Sequence, residues 1–596
     1  MHNDLGQAAS SNELRRTSRP SRLPAHLKDY VCYQVRPNDP HDISSLAHPP
    51  HTSSSGTRYP ISNYVTCNKF SSTHQNFLAA LTKVVEPKHF QEAVKDPRWR
   101  QAMTEEIQAL EANQTWTVEA LPPGKKPISC KWVYRVKYNS DGSIHRYKAR
   151  LVVRGDHQIE GFDYTETFAP VARMTTVRCF LAVAVARGWE LHQMDVNNAF
   201  LHGDLDEEVF MKLPPGFSSS DPTKVCRLRK SLYGLRQAPR QWFAKLSFKL
   251  CQYGFTRTYA DYSLFIYHQG EVFMALLVYV DDIVLASNDS HASQRFKDYL
   301  HACFSIKDLG PLKYFLGIEI ARGPEGMFLC QRKYALDIIE ECGLLGAKPV
   351  EFPIEENHKL ALASGELLND VASYRRLVGR LIYLTITRPE LTYAVHVLSQ
   401  FMHSPKGEHM QAARRLLRYL KGSPGDGILL HAKNDLQLYG FCDSDWGACP
   451  LSRRSLTGYF VTLGGSPISW KTKKQATVSR SSAEAEYRAM AEATSELVWL
   501  RSLLASLGVF HSQPMKLFCD SQSALHIAKN PVFHERTKHI ELDCHFVREK
   551  LTAGLLRLLH ITTQHQPADI FTKTLGKKQF QYLKHKLGML SLHAPT

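Results

Sequence analysis

Two aspartates stand side by side at Asp281-Asp282, inside the apolar run FMALLVYVDDIVLAS. Apolar residues on both sides predict two strands with the aspartates at the tight turn between them. Carboxylates crowded onto an apolar hairpin repel one another unless something positive neutralises them. A pair of divalent metal ions supplies that charge, and a metal pair is what nucleotidyl transfer uses. Standing alone, the pair also reads as a solvated hairpin tip. Asp195 weighs against the hairpin-tip reading: it closes the strand-like segment WELHQMDV and is followed by Asn197-Asn198-Ala199-Phe200. One carboxylate on a strand and one or two on a neighbouring hairpin can hold two metals about 4 Å apart, aligning an attacking 3′-hydroxyl with a leaving pyrophosphate.

A second set of acids follows in the order Asp, Glu, Asp, Asp: Asp443 in GFCDSDW, Glu486 in AEAEYRAM, Asp520 after KLFC and Asp569 in ADIFTKTL. The first and third sit on predicted strands, the second on a helix, and the fourth opens a helix-like stretch. Strand and helix ends from distant sequence can converge on two Mg²⁺ ions that activate water and stabilise a leaving 3′-oxygen. Singly, such acids are more often caps or surface charges. Asp445 and Glu484 are near neighbours that compete for the same roles.

The elements that must position these acids are legible as patterns. DPRWRQAMTEEIQALEANQTW carries an apolar face at helical spacing, and Lys131–Lys137 and Arg146–Arg154 flank the turn signal Asn139-Ser140-Asp141-Gly142. Helical periodicity recurs in MTTVRCFLAVAVARGW and RQWFAKLSFKLCQYGF, then from Gln331 onward in QRKYALDIIEECGLL, YRRLVGRLIYLTI and HMQAARRLLRYLKG. Strand patterns resume at LQLYGFCDSDW and TGYFVTLGGSPISW, and two helices and two strands are expected after them. Residues 1 to about 75, rich in Ser, Pro, His and Asn, read as largely disordered.

At 596 residues the chain exceeds what one core serves, and its formal charge of +17 suits a polyanionic partner. The 13 cysteines form no CxxC pair, which argues against a zinc knuckle and for reduced thiols. The N-terminus lacks the apolar core of a signal peptide, and the longest apolar run, near Val272–Val280, is too short to span a membrane. A soluble protein is expected.

In chain order, QMDVNNAFLHGDL, SLYGLRQAPRQW, YVDDIVLAS and KDLGPLKYFLGIEI resemble the palm of a Copia-type retrotransposon reverse transcriptase. KWVYRVKYNSDGSIHRYKARLVVRG resembles its fingers hairpin, and TRPELTYAVHVLSQFMHSPKGEHMQAARRLLRYLKG its connection. GFCDSDW, SSAEAEYRAMA, LFCDSQSAL and HQPADIFTK resemble its ribonuclease H domain. The similarity runs over roughly residues 80 to 585. It implies a multidomain α+β and α/β chain, a right-hand polymerase of fingers, palm and thumb with a connection and a C-terminal ribonuclease H-like domain. The expected segments are a linker-like 1–80, fingers and palm over 81–345, thumb and connection over 346–435, ribonuclease H over 436–580 and a tail over 581–596.

The resemblance implies an RNA-directed DNA polymerase fused to a ribonuclease H. Asp195, Asp281 and Asp282 would hold Mg²⁺ at the polymerase site and Asp443, Glu486, Asp520 and Asp569 at the nuclease site, two ions per site, with Mn²⁺ as a possible substitute. Phe200 would lie beneath the incoming sugar and exclude a 2′-hydroxyl; an ordinary core aromatic is the alternative. Arg150 and Lys137 would contact the triphosphate, the alternative being a solvated cationic face. Tyr233, Gly234, Gln237 and Pro239 of YGLRQAP would adjoin the template–dNTP pair, with glycine admitting close backbone approach. Tyr233 stands where retroviral relatives usually have glutamine. Lys307 would protonate pyrophosphate, a solvated surface lysine being the alternative; Leu316-Gly317 would grip the primer by backbone, and His565 would assist product release. The group His534, His539, Cys544 and His545 matches no closed zinc spacing.

Expected partners are an RNA template, a DNA primer, RNA–DNA hybrid and dNTPs, with no membrane. The expected location is the cytoplasm, in a virus-like particle, or the nucleus. No zinc knuckle, protease motif or integrase core precedes residue 80, so the chain reads as the C-terminal part of a Pol polyprotein. The alternative function is a catalytically decayed nucleic-acid-binding relic of the element.

Overall fold

The structure is a computed structural model that describes residues 86–138, 143–217, 221, 223–530 and 540–591. The segment 1–80, the turn Asn139–Gly142, and His534 and His539 lie outside the described residues. Asp96 caps the helix Pro97–Ala112 by accepting from the Arg98 amide at 2.8 Å, with Pro97 opening the first turn. Downstream come β1 (Trp116–Ala120), β2 (Cys130–Tyr138) and β3 (Ile144–Val153). In β2, Trp132, Tyr134 and Val136 are buried, while Lys131, Val133, Arg135 and Lys137 point outward. That alternation seats one face of the β2–β3 hairpin on the helix, where Trp99 meets Tyr134 and Tyr147 edge-on at 5.3 and 4.9 Å.

After the helix Met174–Ala186 follow β4 (Glu190–Val196), β5 (Asp204–Lys212) and β6 (Lys224–Lys230). The helix Ala238–Tyr253 leads to β7 (Thr256–Arg257), β8 (Leu264–Gln269), β9 (Val272–Tyr279) and β10 (Asp282–Ser287), and the helix Ser290–Phe304 to β11 (Ile306–Pro311). Next come β12 (Tyr314–Phe315), β13 (Ile318–Gly323), β14 (Gly326–Cys330) and β15 (Asp426–His431). Between the last two lie the helices Arg332–Glu341, Val371–Leu384, Thr392–Ser399 and Gly407–Gly422. The last strands are β16 (Leu438–Asp445), β17 (Leu456–Leu463), β18 (Ser466–Lys474), β19 (Met515–Cys519), β20 (Leu556–His560) and β21 (Met589–Ser591).

Two sheets carry the acids. The first has the order β11-β4-β10-β9-β8-β7 and is antiparallel throughout. Both faces are covered. Val284, Ala286 and Leu277 join the core that contains the helix Met174–Ala186. Ile283, Leu285 and Leu276 pack with Trp242, Leu246, Phe296 and Leu300 of the helices Ala238–Tyr253 and Ser290–Phe304. The second has the order β18-β17-β16-β19-β20, antiparallel on the β18 side and parallel from β16 to β20. Its long helix Ser482–Ser506 lies on one face. The two parts share a core. Arg178 is buried, its Nε donating to the Ile468 carbonyl at 2.7 Å and its guanidinium stacking on Trp470 at 3.9 Å.

A third sheet, β12-β13-β14-β15-β21, departs from the expected segments. It takes strands from before residue 345, from before 435 and from beyond 580, so it crosses all three of those boundaries. Residues 581–596 were expected as a tail. Instead the helix Lys577–Lys586 runs past 580 and β21 pairs with β15, because Leu583, Leu587 and Met589 are buried in the shared core. Among the described residues three helices, not two, lie between β18 and β20: Ser482–Ser506, Gln522–Lys529 and Glu541–Thr552. The Gln522–Lys529 helix has 8 residues, too few for its period to stand out in sequence.

A buried ionic network joins the third sheet to the segments beside it. Arg388, 1% exposed, bonds Glu390 at 2.7 Å and the Ser423 carbonyl at 2.7 Å, and Lys584 pairs with Asp426 beside it. Breaking such a network leaves a buried charge uncompensated. Arg388→Met should therefore lower stability by about 3–5 kcal/mol. Urea unfolding followed by tryptophan fluorescence is the check; an unchanged midpoint would contradict the role given to this network.

Candidate active sites

The first cluster lies where β4, β10 and β11 end together. Asp282 is the register partner of Asp195, and Lys307 is the partner of Asp195 on its other side. Tyr279 flanks Asp282 across the hairpin, so Lys307, Asp195, Asp282 and Tyr279 form one cross-strand row. Asp281 projects from the exposed turn, its carbonyl accepting from the Val196 amide at 3.1 Å. The turn is strained: Val280 has φ +60°, a region β-branched residues avoid. Its carbonyl is held by Trp242 Nε1 at 2.7 Å, and Trp242 is fully buried. Burial, then the charges of Asp281 and Asp195, push the Asp282 carboxyl up to about 6.

Aromatic and cationic groups border this row. Phe200 sits on the short turn Ala199–His202 after β4 and meets Tyr233 edge-on at 5.1 Å. The Arg150 guanidinium lies 4.3 Å over the Tyr233 ring, and its buried Nε has no protein partner. Burial, offset by Arg150 and aided by Asp281 and Asp195, raises the Tyr233 phenol. Lys137 is not brought here. It pairs with Arg146, four residues along β2 from the Arg150 partner Val133, roughly 13 Å away at strand rise. It shares with Arg150 the outward hairpin face, which also carries Lys131, Arg135, Arg146 and Lys148.

Gly234 and Gln237 are occupied differently from the sequence expectation. Gly234 has φ +95°, and a Cβ there would lie 2.0 Å from the Val153 carbonyl oxygen. The close approach it admits is to the end of β3, reinforced by Val153 N–H donating to the Tyr233 carbonyl at 2.7 Å. Gln237 is fully buried, accepting from Gln158 and donating to the Asp163 carbonyl, both at 2.9 Å, so both ends of its amide are spent within the protein. Pro239 lies in the first turn of the helix Ala238–Tyr253. Leu316 (φ +48°) and Gly317 (φ +73°) form the turn between β12 and β13, and the Tyr383 hydroxyl donates to the Leu316 carbonyl.

The second cluster is more deeply enclosed. Asp443 near the end of β16, Asp520 just past β19 and Asp569 on the short turn Pro567–Phe571 place carboxylate oxygens within 4.8 Å of one another. Glu486, on the helix Ser482–Ser506, reaches the same place through Asp520 and accepts from the Ser444 amide at 3.1 Å. Burial raises Asp443, Glu486 and Asp569; Asp443 adds to the rise at the other two, while Lys573 opposes it at Asp443 and Asp569. Asp569 Oδ1 is buried without a hydrogen-bond partner. An all-oxygen set with an orphaned buried acceptor fits a hard divalent cation. Glu484 is engaged elsewhere, with Arg488 at 3.0 Å and the Arg480 amide at 2.6 Å. Asp445 ends β16 opposite Leu456 and joins neither of these groups. His565 Nδ1 lies 2.5 Å from the Tyr582 hydroxyl; Cys544 and His545 sit on the helix Glu541–Thr552.

Residues 113–356 match the family described as reverse transcriptase (RNA-dependent DNA polymerase). The chain is 47% identical over 519 residues to the retrovirus-related Pol polyprotein from transposon RE2 of Arabidopsis thaliana, covering 87% of this chain and 36% of that protein. It is 32% identical over 308 residues to the putative transposon Ty5-1 protein of Saccharomyces cerevisiae, covering 51% of this chain and 100% of that protein. The chain belongs to the Copia-type retrotransposon Pol polyproteins. It spans about a third of the Arabidopsis polyprotein. A solved structure of the foamy viral protease-reverse transcriptase dRH with double-stranded DNA is a distant likeness, TM-score 0.42 at 12% identity, over 78% of this chain and 70% of that one.

In this Copia-type Pol chain three positioning groups escaped the sequence reading. Lys573 Nζ lies 3.2 Å from Asp569 and 3.6 Å from Asp443. Burial alone would lower its amine, yet the two carboxylates hold it above the ordinary lysine range. Its place four residues after Asp569, one helical turn on, was the available signal. Trp242 and Tyr383, which fix the two strained turns, gave none, because tertiary contact alone defines them.

The raised Asp282 has a thermal consequence. A carboxyl raised in the folded state favours folding when protonated, and that contribution is lost as pH rises through about 6. In metal-free protein Asp282→Asn should therefore raise the melting temperature at about pH 8 and not at about pH 4. Scanning calorimetry at both values is the check; an equal gain at both would contradict the repulsion assigned to this cluster.

Proposed function

We propose that the chain is an RNA-directed DNA polymerase, a nucleotidyltransferase, whose C-terminal part is a ribonuclease H acting on RNA in RNA–DNA hybrids. The β2–β3 hairpin corresponds in this reading to fingers and the β11-to-β7 sheet to palm. The helices between residues 371 and 422 correspond to thumb and connection, and the β18-to-β20 sheet to the nuclease. The observation that carries it is the separation of seven acids into two clusters, each at the strand ends of a different sheet, with Glu486 on a helix and Asp569 on a turn joining the second. Mg²⁺ at each cluster, or Mn²⁺ in its place, would supply Lewis acidity and charge compensation.

The chain's own groups then divide the work. Asp195, Asp281 and Asp282 hold the metal pair, and Arg150, stacked on Tyr233, meets triphosphate. Lys307, exposed beside Asp195, is positioned to give a proton to leaving pyrophosphate. Leu316-Gly317 offers backbone to the primer end, braced by Tyr383. At the nuclease, Asp443, Glu486, Asp520 and Asp569 bind metal while Lys573 offsets their charge. Template, primer and hybrid are held mainly through phosphate, with steep salt dependence.

Asp281→Asn should abolish extension of a DNA primer on an RNA template and leave hybrid cleavage intact. Asp443→Asn should do the reverse. Both assays run on the same preparations; joint loss in a folded variant would count against two independent sites. Phe200→Val should raise the kcat/KM ratio of ribonucleotide to deoxynucleotide while DNA synthesis continues. An unchanged ratio in a folded, active variant would assign Phe200 to core packing only.

A further inference from the structure

The second acid cluster is backed by sulfur. Cys442 on β16 and Cys519 on β19 are register partners on neighbouring parallel strands, and both are fully buried. Cys519 Sγ lies 3.9 Å from Glu486 Oε2. Cys442 Sγ approaches the Phe518 carbonyl at 3.6 Å and lies beside Cys519. Glu486, Cys519 and Asp520 bring one sulfur and two carboxylate oxygens within 4.8 Å of one another. Asp520 belongs to both this group and the all-oxygen group of Asp443, Asp520 and Asp569. Beside it, the buried Asp569 Oδ1 still lacks a partner. Among the described residues no other thiol joins two further candidate ligands at such distances.

Cations sort between these two donor sets by hardness. Mg²⁺ takes oxygen ligands and does not choose thiolate. Zn²⁺ and its softer analogue Cd²⁺ bind sulfur and carboxylate together. We propose that Glu486, Cys519 and Asp520 form a site for a thiophilic divalent cation, Zn²⁺ or Cd²⁺, distinct from the Mg²⁺ arrangement of the same cluster. As the sulfur–metal bond forms, the Cys519 S–H proton leaves to solvent, and the two carboxylates bind as anions. Occupancy draws the shared Asp520 away from the all-oxygen group. The consequence for activity rests on the nuclease reading: a thiophilic cation stops hybrid cleavage and leaves primer extension running, because no thiol flanks Asp195, Asp281 and Asp282 in their strand register. The binding itself does not rest on that reading.

The test uses the full chain in excess Mg²⁺, titrated with Cd²⁺ and followed by the ultraviolet sulfur-to-cadmium charge-transfer band. The tightest binding step of the wild-type protein should weaken at least about tenfold in Cys519→Ser, in line with losses on removing metal-site groups. Identical titrations of the two proteins would overturn the proposal. If Cys519→Ser does not fold by circular dichroism, Cys519→Ala takes its place in the same comparison. A second arm measures hybrid cleavage with Cd²⁺, each protein scaled to its own rate in Mg²⁺ alone. Loss of inhibition in the variant supports the site, and equal inhibition of both overturns it. Should neither protein cleave hybrids, the nuclease reading fails, and the charge-transfer titration still decides the site.

Discussion

Like charges repel, and this chain gathers carboxylates at the ends of two sheets, partly buried at the first and mostly buried at the second. Everything near the two clusters answers that constraint. At the first, Asp282 is pushed up to about 6 by burial and by Asp281 and Asp195, so the apo cluster holds its proton more tightly than a free aspartate. At the second, Lys573 bridges Asp443 and Asp569, and still Asp569 keeps a buried oxygen without a partner. Groups arranged this way are poised to take up positive charge, and rigid sheets keep them from relaxing apart.

The rigidity is built from contacts distant in sequence. Trp242 holds the strained Val280 carbonyl, which fixes where Asp281 emerges. Tyr383 fixes Leu316 in the same manner. Arg178 ties the helix behind the first sheet to Ile468 and Trp470 of the second, and Trp499 Nε1 donates to the Ala260 carbonyl at 2.9 Å across the same boundary. The third sheet then threads strands from three stretches of chain through the join. The sheets that carry the two clusters are thus packed into one continuous core, not hung on a linker.

The sequence disclosed the acids because carboxylates at strand ends are costly enough to mark themselves. Asp195 and Asp282, separated by 87 positions, meet as register partners, as the strand–hairpin reading expected. Side chains whose role depends on a distant neighbour stayed hidden. Gly234 was expected to admit close backbone approach beside the template–dNTP pair, and the approach its missing Cβ admits within the fold is that of the Val153 carbonyl; Gln237 is spent on Gln158 and Asp163. The residues past 580 read as a tail because Lys and His crowd around Leu583, Leu587 and Met589, and only the third sheet reveals what those three bury against.

The most direct measurement follows both strands of one substrate at once. Purified protein is given a DNA primer annealed to an end-labelled RNA template, with dNTPs and Mg²⁺, and primer and template lengths are read from the same samples. The primer should lengthen, and the RNA should shorten only where it has become hybrid. Protein that is folded, binds the duplex and changes neither strand would contradict both.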